Sequence, residues 1–190
     1  MNPAFLFTLF WGAWLLSWVL ASGWSSPAIR RPASGAVWAY LGSITLGVLL
    51  IVAARGHWLP TPRLWRVETN SAQVLAFLTL PGFAFTWWAR LHLGRLWSGG
   101  VARKDGHRII DTGPYALVRH PIYTGLLEAA LVSAIARGTV LALAGLVLMV
   151  VGIWLKARLE ERFLSAELGA EVYGAYRRRV PMLFPWLPAT

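Results

Sequence analysis

The segment from Asp111 to Gly125 is the one place in this sequence where several side chains that could do chemistry lie close together between strongly apolar segments. It reads DTGPYALVRHPIYTG and combines a Gly-Pro turn signal, an arginine, an imidazole and two tyrosines between apolar segments. Pro121 suits the first turn of a helix, because the N–H that it lacks would have no intrahelical partner there. The free N–H groups of that turn, with Arg119 and His120 beside them, would suit an anionic group. From these residues alone, an active-site segment and a membrane-entry loop that meets lipid phosphates both remain open.

Composition predicts an all-α integral membrane protein. Of the 190 residues 57% are hydrophobic, 12 are Trp and the mean hydropathy is +0.54, which is too apolar for an ordinary soluble domain. The sequence has no Cys, which excludes disulfides, thiolate nucleophiles and Cys-ligated metal centres. The net charge of +10 would suggest nucleic acid in a soluble domain. Here the basic residues flank apolar segments, so topology and anionic lipid explain them more simply, and we expect no nucleic-acid partner.

Five apolar segments are predicted to form transmembrane helices. They are Pro3 to Ala21, Val37 to Ala54, Ala72 to Ala89, Pro121 to Ala136 and Thr139 to Leu155. No Lys or Arg precedes the first segment, which favours a helix of the mature protein over a cleaved signal peptide. The fourth would reach only roughly 24 Å across an apolar layer of roughly 30 Å. It forms a hairpin with the fifth, which continues without a helix breaker to about Leu168 and so extends into water.

Two further features bear on architecture. Pro81-Gly82 in the third helix predicts a kink.

All but four of the 18 Lys and Arg residues lie in the first and third loops, at the adjoining helix end, or in the C-terminal extension and tail. The four exceptions are Arg55, Arg63, Arg66 and Arg137. The positive-inside rule therefore predicts an outside N-terminus and a cytoplasmic C-terminus. The long loop from Gly94 to His120 and the tail would then meet on the cytoplasmic side.

An ordered set of motifs covers roughly residues 107–185. It comprises His107-Arg108-Ile109-Ile110, Gly113-Pro114-Tyr115, Arg119-His120-Pro121-Ile122-Tyr123-Thr124-Gly125, Glu160-Glu161, Gly169, Tyr173, Tyr176, Arg179-Val180-Pro181 and Pro185. This set resembles the isoprenylcysteine carboxyl methyltransferase family. The three N-terminal helices resemble the family only as hydrophobic segments.

The resemblance implies a multi-pass membrane methyltransferase that uses S-adenosylmethionine without a Rossmann domain. Residues 1–91 would supply three N-terminal helices, and residues 92–190 would form the catalytic region, with a cytoplasm-facing cofactor pocket and an acceptor that enters from the bilayer. The implied cofactor contacts are His107, Arg108, Ile109, Ile110, Tyr115, His120, Pro121, Ile122, Tyr123 and Glu160. His120 and the helix start could hold a carboxylate, Glu160 could accept hydrogen bonds from hydroxyl or ammonium groups, and the tyrosines offer aromatic faces.

Two residues are candidates for acceptor binding. Lys156 stands where eukaryotic members carry an Arg that is thought to hold the acceptor's carboxylate, and it keeps the charge but not the bidentate fork. Glu128 lies inside a membrane helix, where a carboxylate is costly, so it indicates either a function or a structural pairing.

Several alternatives remain open in the sequence. No metal site is expected, since His107 and His120 lack nearby carboxylate pairs. We assign no catalytic base, because a carboxylate acceptor arrives ionised. An NADPH-dependent membrane reductase related to sterol reductases and a non-catalytic membrane scaffold are the alternative functions. The acceptor could be a prenylated cysteine carboxylate, a phospholipid amine, or a small lipophilic thiol or acid.

Overall fold

The computed structural model describes residues 1–24, 34–54, 61–94, 97 and 109–185. Within these ranges the chain is all-α, as predicted from composition. The helices are α1 (Pro3–Leu20), α2 (Ser34–Ala53), α3 (Thr69–Leu93), α4 (Pro114–Leu117), α5 (Pro121–Arg137), α6 (Val140–Leu168) and α7 (Ala170–Arg179). A short 3-10 turn, Ala21–Trp24, follows α1.

Four helices in the described part of the chain, α1, α2, α3 and α6, are long and apolar enough to cross a membrane. The helix α5, which corresponds to the short fourth segment predicted from the sequence, has 17 residues. It packs mainly against α3 and α6. The helix α6 has 29 residues and continues to Leu168, as the absence of a breaker predicted. At 1.5 Å per residue it is about 43 Å long, so its last turns extend beyond an apolar layer of roughly 30 Å.

Glycines allow two helix pairs to approach closely. A Cβ on Gly47 of α2 would lie 2.6 Å from the carbonyl oxygen of Gly145 in α6. A Cβ on Gly82 of α3 would lie 2.6 Å from the carbonyl oxygen of Gly125 in α5. Small residues at such contacts let helix backbones pack closely. This matters in a bilayer, because lipid removes the hydrophobic driving force for helix association. The helix α3 continues through Pro81, and the kink there stays a prediction.

The helix α1 is attached to α3 and α5 through aromatic side chains. The Trp11 ring packs edge-on against Phe83 at 4.9 Å, and the Trp14 ring stacks on Phe83 at 5.6 Å. Trp14 Nε1 donates to Thr86 Oγ1 at 2.8 Å, and Trp11 Nε1 donates to Ser133 Oγ at 3.0 Å. Indole rings bury large apolar areas while their N–H groups need an acceptor, and the hydroxyl groups of α3 and α5 supply one.

The C-terminal tail folds back onto the start of α5. The backbone N–H groups of Arg119 and His120 donate to the carbonyl oxygens of Pro181 and Met182 at 2.8 Å and 3.1 Å. Thr124 Oγ1 donates to the carbonyl oxygen of Leu183 at 2.6 Å. At the opposite end of α5, Gly138 makes the hairpin turn with φ +61°. These contacts hold the first turn of α5 between α6 and the tail.

Candidate active site

The side chains of His120, Glu160 and Glu161 converge where α5 begins and α6 leaves its apolar part. His120 Nε2 lies 3.2 Å from Glu161 Oε1, and His120 Nδ1 lies 3.9 Å from Glu160 Oε2. The two helices form a hairpin, so residues about forty positions apart in the sequence meet at its end. This is the densest cluster of ionisable side chains in the described part of the chain.

Glu161 is the structural carboxylate of this cluster. Its Oε1 accepts a 2.7 Å hydrogen bond from Arg119 Nε, and the exposed fractions of the Glu161 and Arg119 side chains are 3% and 1%. Arg119 Nη1 also donates to the carbonyl oxygens of Arg177 and Val180 at 2.9 Å and 2.6 Å. The sequence suggested that Arg119 would face an anionic ligand. In the structure its guanidinium instead joins the segment before α5 to α6 and to the C-terminal end of α7.

Glu160 differs from its neighbour because its side chain is 30% exposed. Its Oε2 accepts a 2.7 Å hydrogen bond from the Tyr123 hydroxyl, and the partial exposure leaves the carboxylate accessible to a ligand. The Tyr123 ring stacks on the His120 imidazole with a centroid distance of 5.2 Å and an interplanar angle of 7°. His120, Tyr123 and Glu160 therefore form one polar and aromatic surface whose carboxylate can still accept donors.

Lys156 lies one helical turn before Glu160 and extends this surface. Its Nζ is 5.0 Å from the centre of the Tyr123 ring and 5.7 Å from the centre of the Tyr40 ring. Tyr40 belongs to α2 and is 3% exposed. Tyr40 is not among the site residues predicted from the sequence. It could have been noticed because, of the five tyrosines in the sequence, it alone lies in the three N-terminal helices.

A second layer of tyrosines supports the cluster. The Tyr176 hydroxyl donates to the carbonyl oxygen of Tyr115 at 2.8 Å, and Tyr173 and Tyr176 pack with Val180 in a core that Ile109 also contacts. Burial raises the pKa of the Tyr115, Tyr173 and Tyr176 phenols, and the Glu160 carboxylate raises the pKa of Tyr115 and Tyr173 further. These phenols are therefore neutral over the usual pH range and act as packing and hydrogen-bonding groups.

The other predicted site residues are placed as follows. Pro121 is buried at the start of α5, and Ile110 and Ile122 are partly buried. His107 and Arg108 lie outside the described residues. Glu128 packs against Gly82 of α3, where a Cβ would collide with its carboxylate, so its contact lies in the α3–α5 interface. Among the described residues, no three His, Asp or Glu side chains are grouped for a metal ion.

The helices and this cluster define an integral membrane protein with a polar site at the end of a helical hairpin. Comparison with known protein families shows which family this part of the chain resembles. The sequence profile of the isoprenylcysteine carboxyl methyltransferase (ICMT) family matches residues 74–166, which run from α3 nearly to the end of α6. The resemblance seen in the motifs is confirmed over these residues, which make up just under half of the chain.

A curated relative also matches part of the chain. It is the cobalt-zinc-cadmium resistance protein CzcN of Cupriavidus metallidurans, 34% identical over 101 residues. The match covers 50% of this chain and 44% of that protein, so the chain aligns with less than half of its relative's length.

Proposed function

We propose that this protein is a membrane methyltransferase that uses S-adenosylmethionine and methylates a lipophilic acceptor at the cluster of His120, Tyr123 and Glu160. The observation that carries the proposal is the convergence of these three side chains within the segment that matches the family. The 2.7 Å contact between Tyr123 and Glu160 joins the two helices of the hairpin on the side where the carboxylate is partly exposed.

The residues present suit the two polar ends of such a cofactor. The first intrahelical backbone hydrogen bond of α5 runs from Thr124 N to the carbonyl oxygen of His120, so the N–H groups of Ile122 and Tyr123 precede it in the first turn. A helix start of this kind favours a carboxylate, and His120 stands directly beside it. The Glu160 side chain is 30% exposed, so its carboxylate can accept hydrogen bonds from hydroxyl or ammonium groups of a ligand.

The chain's own contribution to the chemistry is binding and orientation. Bound S-adenosylmethionine would supply an electrophilic methyl group, so the protein needs neither a covalent nucleophile nor a metal. Lys156 would hold an acceptor carboxylate beside the Tyr123 ring, one turn from Glu160. An ionised carboxylate needs no base to attack, and alignment with exclusion of water would then carry most of the rate enhancement.

Calorimetry with purified protein in detergent tests the proposal. Both S-adenosylmethionine and S-adenosylhomocysteine should bind the wild type. Binding should be lost in His120→Ala and Glu160→Gln and kept in Glu171→Gln, which removes an exposed carboxylate of α7 as a matched control. No heat of binding with wild-type protein, or NADPH that binds and displaces S-adenosylhomocysteine, would overturn the proposal.

The acceptor requires a separate measurement. Membranes that contain the protein would be incubated with cofactor labelled in the methyl group, and labelled products would be extracted into organic solvent and identified. The position of Lys156 leads us to expect a carboxylic ester. Label found only on an amine or a thiol would remove the role proposed for Lys156 but leave the cofactor site in place.

A further inference from the structure

A basic cleft lies beside the active-site cluster, on a different face of α6. It has a volume of about 360 Å³, and its lining includes Arg158, Arg162, Ser165 and Ala166 of α6 and Ala170 and Arg177 of α7. This volume is at the lower end of those of small-molecule sites. Arg158 and Arg162 share one face because they are one turn apart, and Lys156 and Glu160 lie on the roughly opposite face.

The cleft is positively charged. Three arginines line it, and its one acidic lining residue, Glu161, pairs with Arg119 at 2.7 Å and with Arg177 at 3.6 Å, so Arg158 and Arg162 supply most of the excess positive charge. Ala170 is the first residue of α7, and the acidic Glu171 in the same turn offsets the positive end of that helix, so the arginines carry the charge of the cleft. Arg158 and Arg162 are both exposed, which leaves their guanidinium groups accessible from solvent and from the membrane surface.

The same face of α6 is apolar in the preceding turns. Val147, Val151 and Trp154 have exposed fractions of 60%, 44% and 44%, and they follow one another at helical spacings of four and three residues. The guanidinium of Arg158 lies 5.2 Å from the centre of the Trp154 ring. Exposed tryptophan followed by arginine marks the level where apolar lipid gives way to headgroups.

We propose that this cleft binds the phosphate headgroup of an anionic phospholipid from the surrounding bilayer, with the lipid's acyl chains along Val147, Val151 and Trp154. The exposed apolar side chains of Val147, Val151 and Trp154 lead directly to the arginines. This favours a lipid over a free phosphate, because a free phosphate would make no contact with these apolar side chains. The site is separate from the cofactor surface on Lys156 and Glu160, so it does not depend on the methyltransferase proposal.

Lipid retention by the purified 190-residue protein tests this site. Wild-type protein would be incubated with equal amounts of phosphatidylglycerol and phosphatidylcholine of the same acyl chains, and bound lipid would be counted by native mass spectrometry. The test variant is Arg158→Gln with Arg162→Gln. The matched control is Arg66→Gln with Arg178→Gln, which removes two exposed positive charges outside the cleft.

We expect the wild type and the control to retain phosphatidylglycerol over phosphatidylcholine, and the test variant to retain roughly ten-fold less phosphatidylglycerol. A variant with lysine at both cleft positions should keep most of the retention, which separates loss of charge from loss of fold. Equal retention by the test and control variants would overturn the proposal. Complete displacement of the lipid by inorganic phosphate or by S-adenosylhomocysteine would also overturn it.

Discussion

Arg119 and Glu161 form a 2.7 Å ion pair whose two side chains are almost completely buried, although 42 residues separate them in the sequence. Removal of one partner leaves the other charge buried without compensation, which costs roughly 3–5 kcal/mol. We therefore expect Glu161→Gln to lower the thermal midpoint of the detergent-solubilised protein markedly, as measured by circular dichroism.

The adjacent Glu160→Gln variant is the control for this prediction. Its side chain is 30% exposed, and glutamine can still accept the Tyr123 hydrogen bond, so the thermal midpoint should change little. Equal loss of stability in the two variants would contradict the assignment of Glu161 as the structural carboxylate and Glu160 as the carboxylate that faces the ligand.

Removal of the Tyr123 hydroxyl should weaken cofactor binding without loss of the fold. Tyr123→Phe keeps the ring that stacks on His120 and lies beside Lys156, but it removes the hydrogen bond to Glu160. Hydrogen bonds to charged groups contribute about 1.5–3 kcal/mol, so we expect the Kd for S-adenosylhomocysteine to rise by roughly ten-fold or more. Calorimetry measures this change, and an unchanged Kd would show that Glu160 does not need this partner.

Substitution of Lys156 should weaken binding of the methyl acceptor and leave the affinity for the cofactor unchanged. With a prenylated cysteine that carries a free carboxylate as substrate, Lys156→Met should raise KM by roughly ten-fold or more, since a charge-assisted contact is lost. Lys156→Arg should retain most activity because it keeps the charge. An equal loss of S-adenosylhomocysteine affinity in Lys156→Met would argue against this division of roles.

Two glycines of the same helix should respond differently to alanine. Gly47→Ala places a Cβ 2.6 Å from the carbonyl oxygen of Gly145 and should destabilise the protein by roughly 1–3 kcal/mol. A Cβ on Gly42 would meet nothing within 4 Å, so Gly42→Ala should be neutral or slightly stabilising in a detergent thermal melt. The reverse order would mean that α2 and α6 do not pack through Gly47.

The membrane orientation stays a prediction of the positive-inside rule, and the absence of native cysteine makes it simple to test. Single cysteines would replace Arg178 after α6 and Arg66 between α2 and α3. In intact cells a membrane-impermeant maleimide should label the cysteine at position 66 and not the one at position 178. The opposite pattern would place the proposed active site outside the cytoplasm.

The sequence by itself determined most of the helices and the position of the candidate site. Continuous apolar segments of sufficient length have few alternatives to helix in a bilayer, because every backbone polar group must be satisfied within the segment. Pro121 marked the start of α5, and the lack of a breaker predicted that α6 extends to Leu168. The ordered motifs indicated the same family that matches residues 74–166, and they did so without any knowledge of helix packing.

Only the tertiary structure decided what the individual polar residues of the cluster do. Glu160 and Glu161 are neighbours of the same residue type, yet successive side chains on a helix point about 100° apart, so packing against α5 and the tail buries one and leaves the other accessible. For the same reason the sequence could not show that Arg119 pairs internally or that Tyr40 reaches Lys156 from α2. These contacts join segments that are far apart in the chain, and only the packing of the helices fixes which side chains meet.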